Sequence, residues 1–375
     1  MLKHLIWISA LLAISKVHAE KNVIVITLDG VRWQEVFKGA DATLMNNKDF
    51  VQDIDKTTAQ YWDENLTVRR EKLMPFFWQY VAKQGVMLGN RENGSYMSIA
   101  NNWHFSYPGY SEIFTGIVDD SINSNKKIQN PNQTYLEWLN AKAKYQHKVA
   151  LFGGWDVFPY IINSERSGVY VNAGFMPETQ VTTPEITLLN QLQTEIPSPW
   201  HNVRLDSFTY RFAKAYLLDK QPKTMVISFG ETDDFAHDGH YDQYLDAAKR
   251  SDAFIADLWQ TLQNHPHYKD NTVLIVTTDH GRGSHASDWL HHASKTAVQG
   301  YMKDLKNFEN GIEGSEHIWL VALGLDGVSA GEKTTKVELK QKQIAATVLT
   351  LLGEDPAQFN PNMGSVINEM LMQDK

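Results

Sequence analysis

Five short runs of apolar, largely β-branched residues recur along the chain: "NVIVITL" (22–28), "KVALFGG" (148–154), "KTMVISF" (223–229), "TVLIVTT" (272–278) and "IWLVALG" (318–324). They are apolar at successive positions rather than alternate ones, so each reads as a strand buried on both faces. Between them lie stretches with helical periodicity at 73–85, 134–146, 204–220, 241–263 and 339–353. Strands covered on both faces and alternating with helices make an α/β fold with a largely parallel central sheet and helices on both faces. Ligands of such a sheet bind beyond the carboxyl ends of its strands, which is where functional residues should lie.

Residues 35–70 and 155–202 break this rhythm. Both read as insertions over the sheet that could shape a substrate mouth. No linker divides the chain, so residues 20–375 read as a single catalytic-sized domain, and no 20–50-residue repeat suggests a solenoid. Residues 1–19, "MLKHLIWISALLAISKVHA", have a basic start, an apolar core from Leu5 to Ile14 and small residues at the end. This is the layout of a secretory signal peptide with cleavage after Ala19, and its apolar core is too short to span a bilayer. The expected location is therefore periplasmic or secreted. Without Lys3 and Lys16 the chain keeps 33 basic residues against 44 acids, a formal charge of −11. That balance argues against binding nucleic-acid polymers, but not against a small anionic substrate held through metal ions. With no cysteine, any metal site must use oxygen and nitrogen donors.

Acids and histidines gather where the predicted strands end. The first strand runs into Asp29-Gly30, the strand at 223–229 into "GETDDFAHDGH", and the strand at 272–278 into Asp279-His280. Asp233 and His237 are four apart and can share one side of a helical turn. Further on, "SHASDWLHHA" holds His285, His291 and His292. In "FSYPGYSEIFTG", Pro108 suits the first turn of a helix and places Ser106 at its N-terminus, where amides and the dipole favour an anion. Ser106 could be a capping residue or, beside metal ions, a nucleophile.

Taken in order, "TLDG", "SYPGYSEIFTG", "DDFAH" and "TDHGRG" followed by a later His resemble the alkaline phosphatase superfamily, most closely its type I phosphodiesterase/nucleotide pyrophosphatase-like branch. The resemblance implies an alkaline phosphatase-like three-layer sandwich and two divalent metal ions, normally Zn2+. Asp29, Ser106, Asp279 and His280 match the ligands of one ion, and Asp233, His237 and a distal histidine those of the other. "DWLHHA" is similar to the family's Trp-x-x-His-Gly element and selects His292, with His317 as second choice. It further implies that Ser106 forms a phosphoenzyme, which water at the second metal hydrolyses. The substrate would be a small phosphate ester, a diester or nucleotide ahead of a monoester or phosphonate. A metal-binding protein without catalysis is the reading from another class. Gly109 stands where diesterase relatives carry Asn, which removes a side-chain donor to the phosphoryl group, although Asn101 or Asn102 could approach from the preceding loop. Tyr110 stands where sulfatases carry Arg, which disfavours a sulfatase, and Arg282 is a candidate for substrate contact or, equally, a surface arginine.

Overall fold

The computed structural model describes residues 20–371, so the expected leader at 1–19 lies outside the described residues. Ten strands are present among the described residues: β1 Asn22–Leu28, β2 Val86–Leu88, β3 Met97–Ser98, β4 Val149–Gly153, β5 Tyr170–Ala173, β6 Thr224–Phe229, β7 Thr272–Thr277, β8 Leu320–Leu323, β9 Gly331–Glu332 and β10 Leu339–Lys340. Eight form the central sheet in the order β5-β4-β6-β1-β7-β8-β2-β9, and β10 pairs with β3 in a small second sheet. The central sheet is largely parallel. Only β8 is reversed, pairing antiparallel with both β7 and β2. That reversal puts the amino end of β8 at the edge where β1, β6 and β7 have their carboxyl ends.

The all-apolar strands have the expected physical cause. Ile24, Ile26 and Leu28 of β1 point into one core, and Val23 and Val25 into the other. In β7, Leu274 and Val276 share the first core, while Val273 and Ile275 share the second. The first core is closed by the helices Asp206–Lys220 and Tyr241–Asn264, the second by Ser106–Thr115, Tyr135–Asn140 and Gln343–Leu351. Each large apolar side chain buried in this way contributes about 1.5–3 kcal/mol before entropy is subtracted. No helix among the described residues is long and apolar enough to cross a membrane.

Three predicted helices differ in their limits: that at 134–146 stops at Asn140, with only a 3-10 turn at Ala143–Tyr145 beyond it. The stretch 73–85 is interrupted: a helix at Leu66–Leu73, capped by Asn65, stops before Pro75, and helical turns resume at Phe77–Val81 and Ala82–Gln84. Proline disfavours a helical residue before it, and Met74 indeed leaves the helical region with ψ 72°. The amides of Phe76 and Phe77 then find an acceptor in Asp252, which lies on another helix. The stretch 339–353 begins as β10, and its helix starts only at Gln343. Residues 35–70 form short helices whose buried side chains, among them Val36, Phe37, Leu44 and Tyr61, join the first core.

Candidate metal centre

Adjacent strands bring the candidate residues together. In register, Leu28 of β1 faces Phe229 of β6, and Thr27 faces Thr277 of β7. Asp29 therefore leaves the sheet between Asp279-His280, which follow β7, and the helix Glu231–His237, which follows β6. That helix is held at its start from outside. The Asp206 carboxylate accepts from the amides of Gly230 (2.8 Å) and Glu231 (3.2 Å), and Glu231 Oε1 accepts in return from the Asp206 amide (2.8 Å). Asp233 and His237 then sit one turn apart, with His237 Nε2 3.3 Å from Asp233 Oδ2.

Ser106 is the first residue of its helix and does not cap it. The capping position belongs to Phe105, in extended backbone, and no side-chain cap is made. Instead Ser106 Oγ lies 3.3 Å from His280 Nε2. The helix rests directly on the end of β7: a Cβ at Gly109 would lie 2.4 Å from the carbonyl oxygen of Asp279. Glycine is what lets the serine approach this closely.

The donors fall into two overlapping groups of mutually close atoms, Asp29–Asp279–His280 and Asp233–His280–His292. His280 Nε2 is 3.3 Å from Asp29 Oδ1, 3.5 Å from Asp279 Oδ2 and 3.7 Å from Asp233 Oδ1. His237 Nε2 and His292 Nε2 face each other at 3.0 Å. All seven predicted residues thus lie in one cluster. His317 lies apart, with Nε2 3.3 Å from Glu316 in the wall of a separate cavity.

Several features fit a bound cation. Asp29 Oδ1 and Asp279 Oδ2 are buried with no hydrogen-bond partner among the described residues. His280 Nδ1 is 2.9 Å from the Gly281 carbonyl and His292 Nδ1 3.1 Å from the His104 carbonyl. A proton donated to each carbonyl leaves the Nε2 lone pairs facing the cluster, as metal ligation requires. His237 Nε2 and His292 Nε2, 3.0 Å apart, need a cation or a shared proton between them. Burial, and then the neighbouring Asp233, pushes the Asp29 carboxyl up; burial and Asp29 do the same to Asp279. Burial disfavours charge on His280 as well, yet Asp279, Asp29 and Asp233 push it up to about 9. The site carries an excess of carboxylate that a cation would balance.

The structure places three side chains differently from the sequence expectation. Arg282 was a candidate for substrate contact, but it is buried: Nε donates to the Trp289 carbonyl at 3.0 Å, and the rest of the guanidinium binds the Leu290 carbonyl and Asp233. Asn101 and Asn102 are likewise committed elsewhere, their amides donating to Glu112 and Asp120. The sequence marked Tyr110 only as a departure from the sulfatase pattern and did not single out Asn125. The Tyr110 hydroxyl donates to Asp29 Oδ2 at 3.0 Å and lies 2.9 Å from Ser228 Oγ. Asn125 sits in a polar stretch with no periodic signal; its Oδ1 accepts from the Tyr107 amide at 3.0 Å beside Ser106.

Ser106, Asp29, Asp233, His237 and His292 line the floor of a cavity of about 630 Å³. Its walls include Asn125, Lys126, Trp155, Asp156, His201 and Tyr301. Residues 155–202 contribute Trp155, Asp156 and His201, but they also supply the edge strand β5 and so are not simply an insertion over the sheet, whereas none of the lining residues comes from 35–70.

Residues 41–336 match the family model of type I phosphodiesterases/nucleotide pyrophosphatases. The chain belongs to that family. It is accordingly a hydrolase of the metal-dependent alkaline phosphatase superfamily. Solved structures agree on the fold. The alkaline phosphatase PafA is similar at 12% identity and a TM-score of 0.56, covering 94% of this chain and 99% of that one. A 2-O glycosaminoglycan sulfatase is similar at 14% identity and a TM-score of 0.54, covering 95% of this chain and 75% of that one. A superfamily protein from Vibrio parahaemolyticus is similar at 14% identity and a TM-score of 0.52, covering 89% and 67%. Among curated proteins no sequence match is found.

Proposed function

We propose that this chain is an exported two-metal phosphoric ester hydrolase with Ser106 as nucleophile, and that phosphodiesters or nucleotides are its preferred substrates. The observation that carries the proposal is the position of Ser106. Its hydroxyl makes no helix cap, opens onto the cavity and lies 3.3 Å from His280 within a cluster of carboxylates and imidazoles. Asp29, Ser106, Asp279 and His280 would hold one divalent ion, and Asp233, His237 and His292 the other; the overlap of the two donor groups at His280 supports neighbouring ions. Bound there, such ions (zinc suits this oxygen and nitrogen set) would neutralise phosphoryl charge and lower the pKa of the serine hydroxyl and of water.

In this proposal Ser106 Oγ attacks phosphorus and loses its proton to solvent, while the bond to the leaving oxygen breaks and that oxygen departs with the electron pair. Water then attacks the phosphoserine from the side of Asp233, His237 and His292, and Oγ leaves to regenerate Ser106. The Asn125 amide, its oxygen held by Tyr107, is placed to donate to a phosphoryl oxygen. Support for a diester comes from the walls. Lys127 is paired with Asp156 at 2.6 Å, leaving Lys126 as the neighbouring ammonium, and Trp155 and Tyr301 offer apolar area to a second ester group. Tyr110 engages Asp29 through its hydroxyl where a sulfatase would place an arginine.

The test is hydrolysis of bis(p-nitrophenyl) phosphate and p-nitrophenyl phosphate by protein recovered from the exported fraction, whose mass should begin at Glu20. Ser106→Ala should lower turnover by at least about 10³-fold, as loss of a covalent nucleophile does. Equal turnover by the variant would overturn the nucleophile, and fewer than two metals per chain at saturation would overturn the dinuclear site.

A further inference from the structure

We propose that Arg282 is a positioning residue that sets the affinity of the metal site built from Asp233, His237 and His292. This deepens the proposed function and rests on it. The guanidinium is buried and binds three separate groups: the Trp289 carbonyl through Nε at 3.0 Å, the Leu290 carbonyl, and Asp233 Oδ1. The two carbonyls belong to the turn that leads into His292, and Asp233 belongs to the helix after β6. Arg282 itself follows Asp279-His280 at the end of β7. One side chain thereby joins three of the segments that supply the candidate ligands.

The surroundings are built for this contact. Gly30 has a positive φ of 62°, and a Cβ there would lie 2.7 Å from Asp233 Oδ1 and 2.8 Å from Arg282 Nη1. Any larger residue would enter the space in which guanidinium and carboxylate meet. The next residue is fixed too, because Arg32 Nη1 donates to the Gly283 carbonyl at 3.0 Å, and the Gly283 amide bonds the His291 carbonyl at 3.0 Å. A guanidinium suits the task because its planar fork serves several acceptors in fixed directions, which an ammonium cannot reproduce.

The expected consequence is a selective one. Groups that orient metal ligands from behind typically change affinity by about 10–100-fold when replaced. Arg282→Lys keeps the charge and loses the fork; Arg282→Gln keeps donors and loses the charge. Metal-free wild type and both variants are titrated with Zn2+ against a chromophoric chelator, and the metal-free proteins are melted in parallel. The expected result is about a 10–100-fold weakening of one of two zinc sites, the other unchanged, with the melting temperature of the metal-free protein close to wild type. Two wild-type affinities in a folded variant would overturn the assignment, as would parallel weakening of both sites with a lowered melting temperature. If wild type itself bound fewer than two zinc ions, the failure would lie in the proposed dinuclear site, which separates the two results.

Discussion

Replacing Gly109 by alanine should damage catalysis far more than stability. The added methyl would lie 2.4 Å from the Asp279 carbonyl oxygen, against an ordinary contact of 3.4 Å or more, so helix and strand end must part by about 1 Å. Gly109 is an interior helical residue, and alanine there gains about 1 kcal/mol of helix propensity. Forced overpacking costs about 1–3 kcal/mol. The net loss of stability is then between about zero and 2 kcal/mol, and the variant should fold. Ser106 lies three residues earlier on the same helix, so the shift moves the nucleophile away from His280. A misplacement of about 1 Å can cost on the order of 10²-fold in rate. Urea unfolding measures the first quantity and nitrophenyl diester turnover at saturating zinc the second. A variant with wild-type turnover would refute the claim that this contact places Ser106. A variant that lost several kcal/mol would show that the strand end cannot yield.

Two further outcomes are expected. His292→Ala should remove one of two bound metals, measured by elemental analysis, whereas His317→Ala should remove neither; the reverse result would reassign the distal ligand. Glu354→Gln should lower stability at neutral pH. Burial alone would raise the Glu354 carboxyl, but hydrogen bonds from Lys142 and Lys144 hold it below its ordinary value of 4.5. A carboxylate with a depressed folded value stabilises above the unfolded value and loses that contribution as pH falls through the folded one. Urea midpoints of the two proteins should therefore differ at neutral pH and converge in acid below about 4.5. A gap that persisted in acid would remove the ion pairs as its cause.

The candidate site was legible where chemistry follows a strand within a few residues. Asp29, Asp279 and His280 each stand just after an apolar run, and Asp233 and His237 have the four-residue spacing of one helical turn. Ser106 was legible through Pro108, which marked the helix start. Arg282 was not, because a charged side chain beside two glycines looks the same in sequence whether it reaches into solvent or back into the core. Asn101 and Asn102 misled for a related reason: sequence proximity to Ser106 does not show that Glu112 and Asp120 already hold their amides.

Local periodicity and composition by themselves determined a parallel α/β sheet with two covered faces, because a strand apolar at every position has no face to give to water. Adjacency had to come from the tertiary structure. The register of β1 with β6 and β7 joins residues about two hundred and two hundred and fifty positions apart, and that register makes neighbours of Asp29, Asp233 and Asp279. It also decided that β8 runs backwards, that His292 rather than His317 joins the cluster, and that Gly109 lies against Asp279. Hydrophobic period is a property of neighbours along the chain, whereas a metal centre is a property of neighbours across the sheet.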